Sequence, residues 1–357
     1  AYPKLGSRDR KLLSEMAYSW YRCTKGWDEG MEFDKKIDAC LFLCSTQEKL
    51  TKYILPEDWA FSATLSIAER LEFLEKQGIH FDINKLFPYS IMLSDGIKKE
   101  DWLHSMLQQP DLFLRIRKEK ERIIKLLRDA NISFAFLNDN CIALPNGAAI
   151  DKLLPDDAYV VQDVSSQETG GYFHPKAGEQ WYDCCSGAGG KSLLLKDMQP
   201  DVQLSVSDKR DSILHNLKNR FKLYHHTLPV SYNIDVSDKQ QMRKQLGAQQ
   251  FDVIICDVPC TGSGTWARTP EQLYFFEPRL VGEISALQKR ISSNVAAVLK
   301  ANGRLIYITC SVFKEENENV INALVKETGL EAEETKLVNG IQSKADSMFV
   351  TVLKKKV

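Results

Sequence analysis

Four short apolar runs in the second half of this chain each close on an aspartate. Trp181 leads to Asp183, Val202–Val206 to Asp208, Val230–Ile234 to Asp235, and Phe251–Cys256 to Asp257. Helical spacing separates them: Leu193, Leu194 and Leu195 after the first, then a face of Ile213, Leu214, Leu217 and Phe221. After the fourth, Ile284, Leu287, Ile291, Val295 and Val298 keep spacings of three and four. Apolar, β-branched runs suit strands buried on both faces of a parallel sheet, and strand–helix alternation makes the fold α/β. Ligands of such open sheets bind beyond the carboxyl ends of the strands. A lone aspartate at a strand end is usually a turn or cap residue. Four in series on one sheet are read as binding groups.

The segment from Phe251 to Glu271, FDVIICDVPCTGSGTWARTPE, sets Asp257, Pro259 and Cys260 at such a strand end. Arg304 to Ser311, RLIYITCS, repeats the design and places Cys310 at its tip. Adjacent strands would bring the two thiols together. Any one cysteine is most often a buried structural residue. A zinc site from Cys256, Cys260 and Cys310 is disfavoured, because alternation places Cys256 inside the sheet and no histidine completes a tetrahedron. No metal is expected.

Between the first strand and its helix lies a loop of Cys185, Ser186, Gly187, Ala188, Gly189, Gly190 and Lys191. Glycines there let a ligand approach the backbone at a helix N-terminus. A dinucleotide fingerprint fails, since Ser192 stands where its third glycine belongs, and a Walker loop fails at Cys185. Asp208 lies 18 residues beyond Gly190, where a carboxylate accepts hydrogen bonds from ribose hydroxyls. Asp235 could meet an adenine amine. An adenosine ligand without a pyrophosphate is the economical reading, and S-adenosylmethionine fits it. A nucleophilic thiol beside a methyl donor implies attack on an electron-poor ring.

The chain's 357 residues suffice for about two domains of roughly 150 residues each. Residues 1–108 read as a helical N-terminal domain, with Leu12, Leu13, Met16 and Trp20 on one face; Ser45-Thr46-Gln47-Glu48 fits a capping box. Residues 109–154 read as a small α/β subdomain with a hairpin around Asn138-Asp139-Asn140. Its run of Arg115, Arg117, Lys118, Lys120, Arg122, Lys125 and Arg128 is either a solvated face or a set of phosphate contacts for RNA. With 47 basic and 48 acidic residues, net charge gives no global argument for nucleic acid. The nine cysteines lie mostly in apolar runs, so a reducing, cytoplasmic location is expected. No apolar run approaches the roughly 18 residues of a membrane span. No signal peptide is read, although the chain starts at Ala1 rather than Met.

Residues Cys185–Ser192, Asp208, Asp235, DVPCTGSGTWARTPE (257–271) and YITCSVFKEENE (307–318) together resemble the RNA cytosine-C5 methyltransferases of the RsmB/Nop/NSun superfamily. Val161–Gln167 and Leu287-Gln288 match it too. The resemblance implies a catalytic domain over 155–357: a Rossmann-like class I methyltransferase with a seven-stranded, mostly parallel sheet. It implies an RNA-binding role for 109–154, S-adenosylmethionine as cofactor, RNA as partner (ribosomal favoured, transfer RNA as the alternative), and a monomer. Cys310 is then the nucleophile that adds to cytosine carbon 6, and Cys260 assists product release. Asp257 would hydrogen-bond the ring and border the cofactor, and Lys191 could lower a thiol's pKa. Trp266, Tyr274 and Phe275 would either support the extruded base or belong to the core. One departure stands out: Ala188 occupies the place of the family's loop proline. Two other readings remain. A DNA cytosine methyltransferase would use the Pro259-Cys260 thiol as nucleophile, against which the second thiol argues. A non-catalytic RNA-binding assembly protein would keep a relic of the cofactor fold.

Overall fold

The computed structural model describes residues 6–45, 51–59 and 65–356. Residues 46–48 of the expected capping box lie outside them. The chain divides into two compact units: Ala1–Ile91 with Ile97–Pro110 and Thr265–Pro278, and Met92–Gly96 with Asp111–Gly264 and Arg279–Val357.

The first unit carries helices Ser7–Cys23, Phe33–Cys44, Ile67–Lys76 and Lys99–Met106. Leu13, expected on a buried face, is half exposed. Two buried arginines satisfy helix-end carbonyls, which otherwise lack partners. Arg70 donates to Phe42, Leu43 and Ser45, and Arg22 to Met106 and Gln108. Thr265–Pro278 falls inside the 155–357 span of the expected catalytic domain, yet it packs in this first unit. The reason is aromatic: Trp266 lies 5.8 Å from Trp102 and 4.9 Å from Phe276, ring centre to ring centre. Trp266 is fully buried and thus a core residue, whereas Phe275 is exposed.

The second unit contains two sheets. The smaller has strands β1 Leu112–Ile116, β2 Ala135–Asn138, β3 Cys141–Leu144 and β4 Tyr159–Val161, all antiparallel, in the order β2-β3-β1-β4. Helix Lys120–Asp129 buries Ile123, Ile124 and Leu127. The larger has β5 Gln180–Asp183, β6 Gln203–Asp208, β7 Val230–Asn233, β8 Phe251–Asp257, β9 Leu299–Thr309, β10 Glu331–Val338 and β11 Met348–Lys354. Its order is β10-β11-β9-β8-β5-β6-β7, parallel from β9 to β7 and antiparallel at β10 and β11. β8 sits at the centre, so both its faces must be apolar: Val253 and Ile255 fill one core, Ile254 and Cys256 the other. β9 starts five residues before the expected Arg304, and its register against β8 jumps between Phe251 and Val253, which makes room for the turn through Asn302 and Gly303. The sequence pattern missed this extension because that turn reads as a strand boundary.

The basic run of the small subdomain is largely engaged. Arg115 and Arg117 share Asp197 at 2.6 and 2.7 Å, Lys118 pairs with Asp157, and Arg122 pairs with Glu119. Lys118 and Arg122 remain at the surface, whereas Arg115 is buried, Arg117 is half-buried, and both are neutralised within the unit. No helix among the described residues is long and apolar enough to cross a membrane.

Candidate active site

β5 ends at Asp183, and the chain turns through Cys184–Gly189 into helix Gly190–Met198. Gly189 has φ +82°, and a Cβ there would lie 2.9 Å from Leu217 Cγ, so both backbone and space require glycine. The loop is pinned by Ser186 N–H to the Ser207 carbonyl at 2.9 Å and by Gly187 N–H to Asp208 Oδ2 at 3.2 Å. Where the family's proline would stiffen it, Arg220 donates to the Ala188 carbonyl at 2.8 Å. That contact spans 32 residues and has no local sequence signal.

Asp208 is the last residue of β6. Arg210 donates to it through its backbone N–H and Nε, each at 2.9 Å, and through Nη2 at 3.0 Å. Burial raises its pKa, but the Arg210 bonds outweigh burial and hold the carboxyl below its ordinary range. Asp235 lies two residues past β7 and accepts from Ser237 N–H and Oγ at 2.9 and 2.6 Å. This is turn chemistry, yet its residue also borders the crevice. Together with Cys185, Asp208, Asp257, Ile234, Val258 and Leu287 it lines a cleft of about 380 Å³ at the carboxyl end of the sheet.

The reactive groups converge beside that cleft. β8 and β9 run parallel, with Asp257 opposite Ile308, so the residues following each strand emerge side by side. Cys260 Sγ and Cys310 Sγ are 3.2 Å apart, and both thiols are free and half-buried. The hydrogen bond with Cys310 and then burial push the Cys260 thiol well above the usual range, so it keeps its proton near neutrality. Cys256 does not join them. It is fully buried in the core, 3.7 Å from Ser292 Oγ.

Lys191, in the first turn of its helix, places Nζ 3.2 Å from Asp257 Oδ2 and 2.8 Å from Ser166 Oγ. Its engaged partners are thus a carboxylate and a hydroxyl rather than a thiol. Below this pair Asp183 is buried, with Oδ2 accepting from Ser192 at 2.6 Å and Oδ1 lacking a partner. Burial first, then repulsion from Asp257, raise its pKa to about 7 against the pull of Ser192 and Lys191.

The loop around the thiols is close-packed. A Cβ on Gly264 would lie 2.0 Å from the Ser347 carbonyl oxygen and 3.0 Å from that of Cys310. Glu316, for which the motif suggested no role, is fully buried between the two cysteine segments.

These features agree with what comparison with known proteins shows. Residues 171–355, just over half of the chain, match the model of the family described as 16S rRNA methyltransferase RsmB/F. Among curated proteins, ribosomal RNA small subunit methyltransferase B of Escherichia coli (strain SMS-3-5 / SECEC) is 28% identical over 228 residues, covering 62% of this chain and 52% of the relative. The chain therefore spans about half the length of the curated relatives it matches. Among solved structures, PH0851 superposes with TM-score 0.72 at 18% identity, covering 99% of this chain and 92% of that one. NSun6 from Pyrococcus horikoshii, solved with SFG, gives 0.62 at 13% identity, covering 72% and 94%. At those identities the superpositions speak for the Rossmann-like methyltransferase fold alone. By the extent of the family match, the chain belongs to the 16S rRNA methyltransferase RsmB/F family.

Proposed function

We propose that the protein methylates carbon 5 of a cytosine in RNA, with ribosomal RNA of the small subunit as the favoured substrate. The observation that carries this reading is the pair of free thiols 3.2 Å apart at the tips of adjacent strands, beside the Asp257–Lys191 pair. One thiol suffices for nucleophilic addition; a second within contact distance suits a reaction that must also dismantle its adduct.

S-adenosylmethionine fits the cleft by donor chemistry: three carboxylates, at Asp208, Asp235 and Asp257, face a space walled by Ile234, Val258 and Leu287. Such a set offers acceptors for ribose hydroxyls and an adenine amine, favours a cationic ligand, and gives an apolar slot for the base. The backbone of Ser186–Gly190 would approach the ligand at the helix N-terminus. Asp208 is now held by the exposed Arg210, which would turn aside as ribose takes its place. When bound, this cofactor supplies the electrophilic methyl group.

The chain's own residues do the rest. Cytosine carbon 5 is a weak nucleophile until a thiolate adds at carbon 6. Cys310 makes that bond. A proton from Lys191, 3.2 Å from Asp257, passes through the Asp257 carboxyl to nitrogen 3 as electron density moves there. Cys260 then accepts the carbon-5 proton as the bond to Cys310 breaks, which returns Cys310 to thiolate and frees the base. The Cys260 proton must first pass to solvent, which its contact with Cys310 opposes until Cys310 is bound to carbon 6 as a thioether.

Two substitutions test this. Cys310→Ala should abolish methylation and adduct, whereas Cys260→Ala should accumulate a covalent protein–RNA adduct resolved on denaturing gels. The opposite pattern would refute the assignment and favour a Pro-Cys nucleophile. Bisulfite sequencing of ribosomal and transfer RNA, with and without the protein, would identify the substrate; an unchanged 5-methylcytosine map would refute the activity.

A further inference from the structure

We propose that Glu316 is a positioning residue that sets the two thiols against each other; this rests on the proposed two-cysteine reaction. Its carboxylate is fully buried and saturated by four donors. Oε1 accepts from Thr261 N–H at 2.8 Å and from Gln288 Nε2 at 3.1 Å. Oε2 accepts from Thr261 Oγ at 2.5 Å and from Ser311 Oγ. Thr261 directly follows Cys260 and Ser311 directly follows Cys310. One carboxylate therefore grips the residue after each reactive thiol, and Gln288 extends the grip to the Pro259 carbonyl at 2.9 Å.

The carboxylate is itself anchored. Tyr307, on β9, donates to the Glu316 carbonyl at 2.6 Å, and Asn317 accepts from Thr309 at 2.6 Å while donating to the Ser311 carbonyl at 2.8 Å. The anchor thus comes from the strand that carries Cys310, and the reach is to the loop that carries Cys260. Regular β-sheet pairing ends at the strand tips, and beyond it the Gly264 N–H bond to the Cys310 carbonyl at 2.9 Å and the Ser263–Ser311 contact at 3.0 Å hold the loops four and three residues past Cys260, not beside it. A bridging carboxylate couples them. A buried carboxylate is costly unless its lone pairs are filled. Here the lone pairs are filled by residues that adjoin the two thiols, so the carboxylate's placement is explained by the geometry it enforces.

The assignment separates into two arms. The Ser311 bond orients Cys310 for addition, and the Thr261 bonds orient Cys260 for release. Misplacing reacting groups by an ångström costs about 10²-fold in rate.

The test uses unmodified small-subunit ribosomal RNA transcript, following adduct formation and decay under single-turnover conditions and methylation at steady state. Glu316→Gln keeps the shape but turns one acceptor into a donor facing donors. It should lower kcat about 10²-fold, with KM and S-adenosylmethionine affinity by calorimetry within about twofold. Loss confined to KM, or equal loss of cofactor affinity, would mean general structural damage and overturn the role. Should Glu316→Gln not fold, single-arm variants carry the test. Ser311→Ala should slow adduct formation about tenfold, and Thr261→Val should leave formation intact but slow decay about tenfold. Identical effects of both arms on both phases would overturn it. If the wild-type protein forms no adduct through Cys310 on any cellular RNA, the underlying reaction fails, and the positioning role fails with it. If wild-type chemistry proceeds and these variants match it, only the positioning role fails.

Discussion

Replacing Asp183 by asparagine should make the protein more stable at alkaline pH and leave it nearly unchanged near its ordinary carboxyl pKa. The carboxyl is buried at the end of β5, one oxygen bonded to Ser192 and the other unpartnered. Burial, then Asp257, raise its pKa from 3.8 to about 7. A carboxyl whose folded pKa is raised retains a proton that the unfolded chain has lost. Its neutral form favours the fold fully below the unfolded pKa, and that contribution disappears as pH rises through the folded value. At about 1.36 kcal/mol per unit, a shift of this size is worth on the order of 4 kcal/mol in all. Between about pH 5 and pH 8 the part still to be lost is roughly 2–3 kcal/mol. Asparagine has no proton to lose. Urea unfolding of wild type and Asp183→Asn across this range should therefore give a difference that grows with pH in favour of the variant. Other titrating groups cancel between two proteins that differ at one site. A difference independent of pH would refute the argument and show that Asp183 ionises freely in the fold.

Two other perturbations follow from contacts within the same unit. Asp197 neutralises the buried Arg115 and the half-buried Arg117 and contacts His226 at 2.7 Å. Burial would raise its pKa, but His226 and the two arginines outweigh it and hold the carboxyl well below the usual range. Its contribution is therefore present above the ordinary carboxyl pKa and lost as pH falls through the depressed value. Asp197→Ala should cost about 3–5 kcal/mol at neutral pH by stranding one buried and one half-buried cation, measured by denaturant unfolding; a cost under about 1 kcal/mol would show the arginines rehydrate. Gly264→Ala should destabilise by about 1–3 kcal/mol or more, because its Cβ would meet the backbone carbonyl of Ser347 at 2.0 Å. Since Gly264 N–H also donates to the Cys310 carbonyl at 2.9 Å, adduct formation should slow as well; an unaltered melting temperature would refute the clash.

Most of the fold was legible in the pattern of residues. Apolar runs that each end on or shortly before an aspartate determined a parallel α/β sheet and the edge at which chemistry occurs, because pattern and length decide strand and helix locally. Pro259-Cys260 and Thr309-Cys310 could be placed at strand tips for the same reason. The ordering of β8 beside β9, which sets Cys260 against Cys310, is a long-range choice that sequence could only suggest. Other features depend wholly on groups far apart in the chain. Trp266 could be read as a support for a base or as core, and packing with Trp102 and Phe276 makes it core. The contacts of Lys191 with Asp257 and Ser166 had no signal in the sequence. Arg220 reaches 32 residues back to the Ala188 carbonyl, and Glu316 joins two loops separated by 50 residues at the cysteines. Periodicity reports which face of an element is buried. It carries no record of which polar group waits there, because hydrogen-bond partners are chosen by tertiary packing, and burial makes that choice costly to leave unmet.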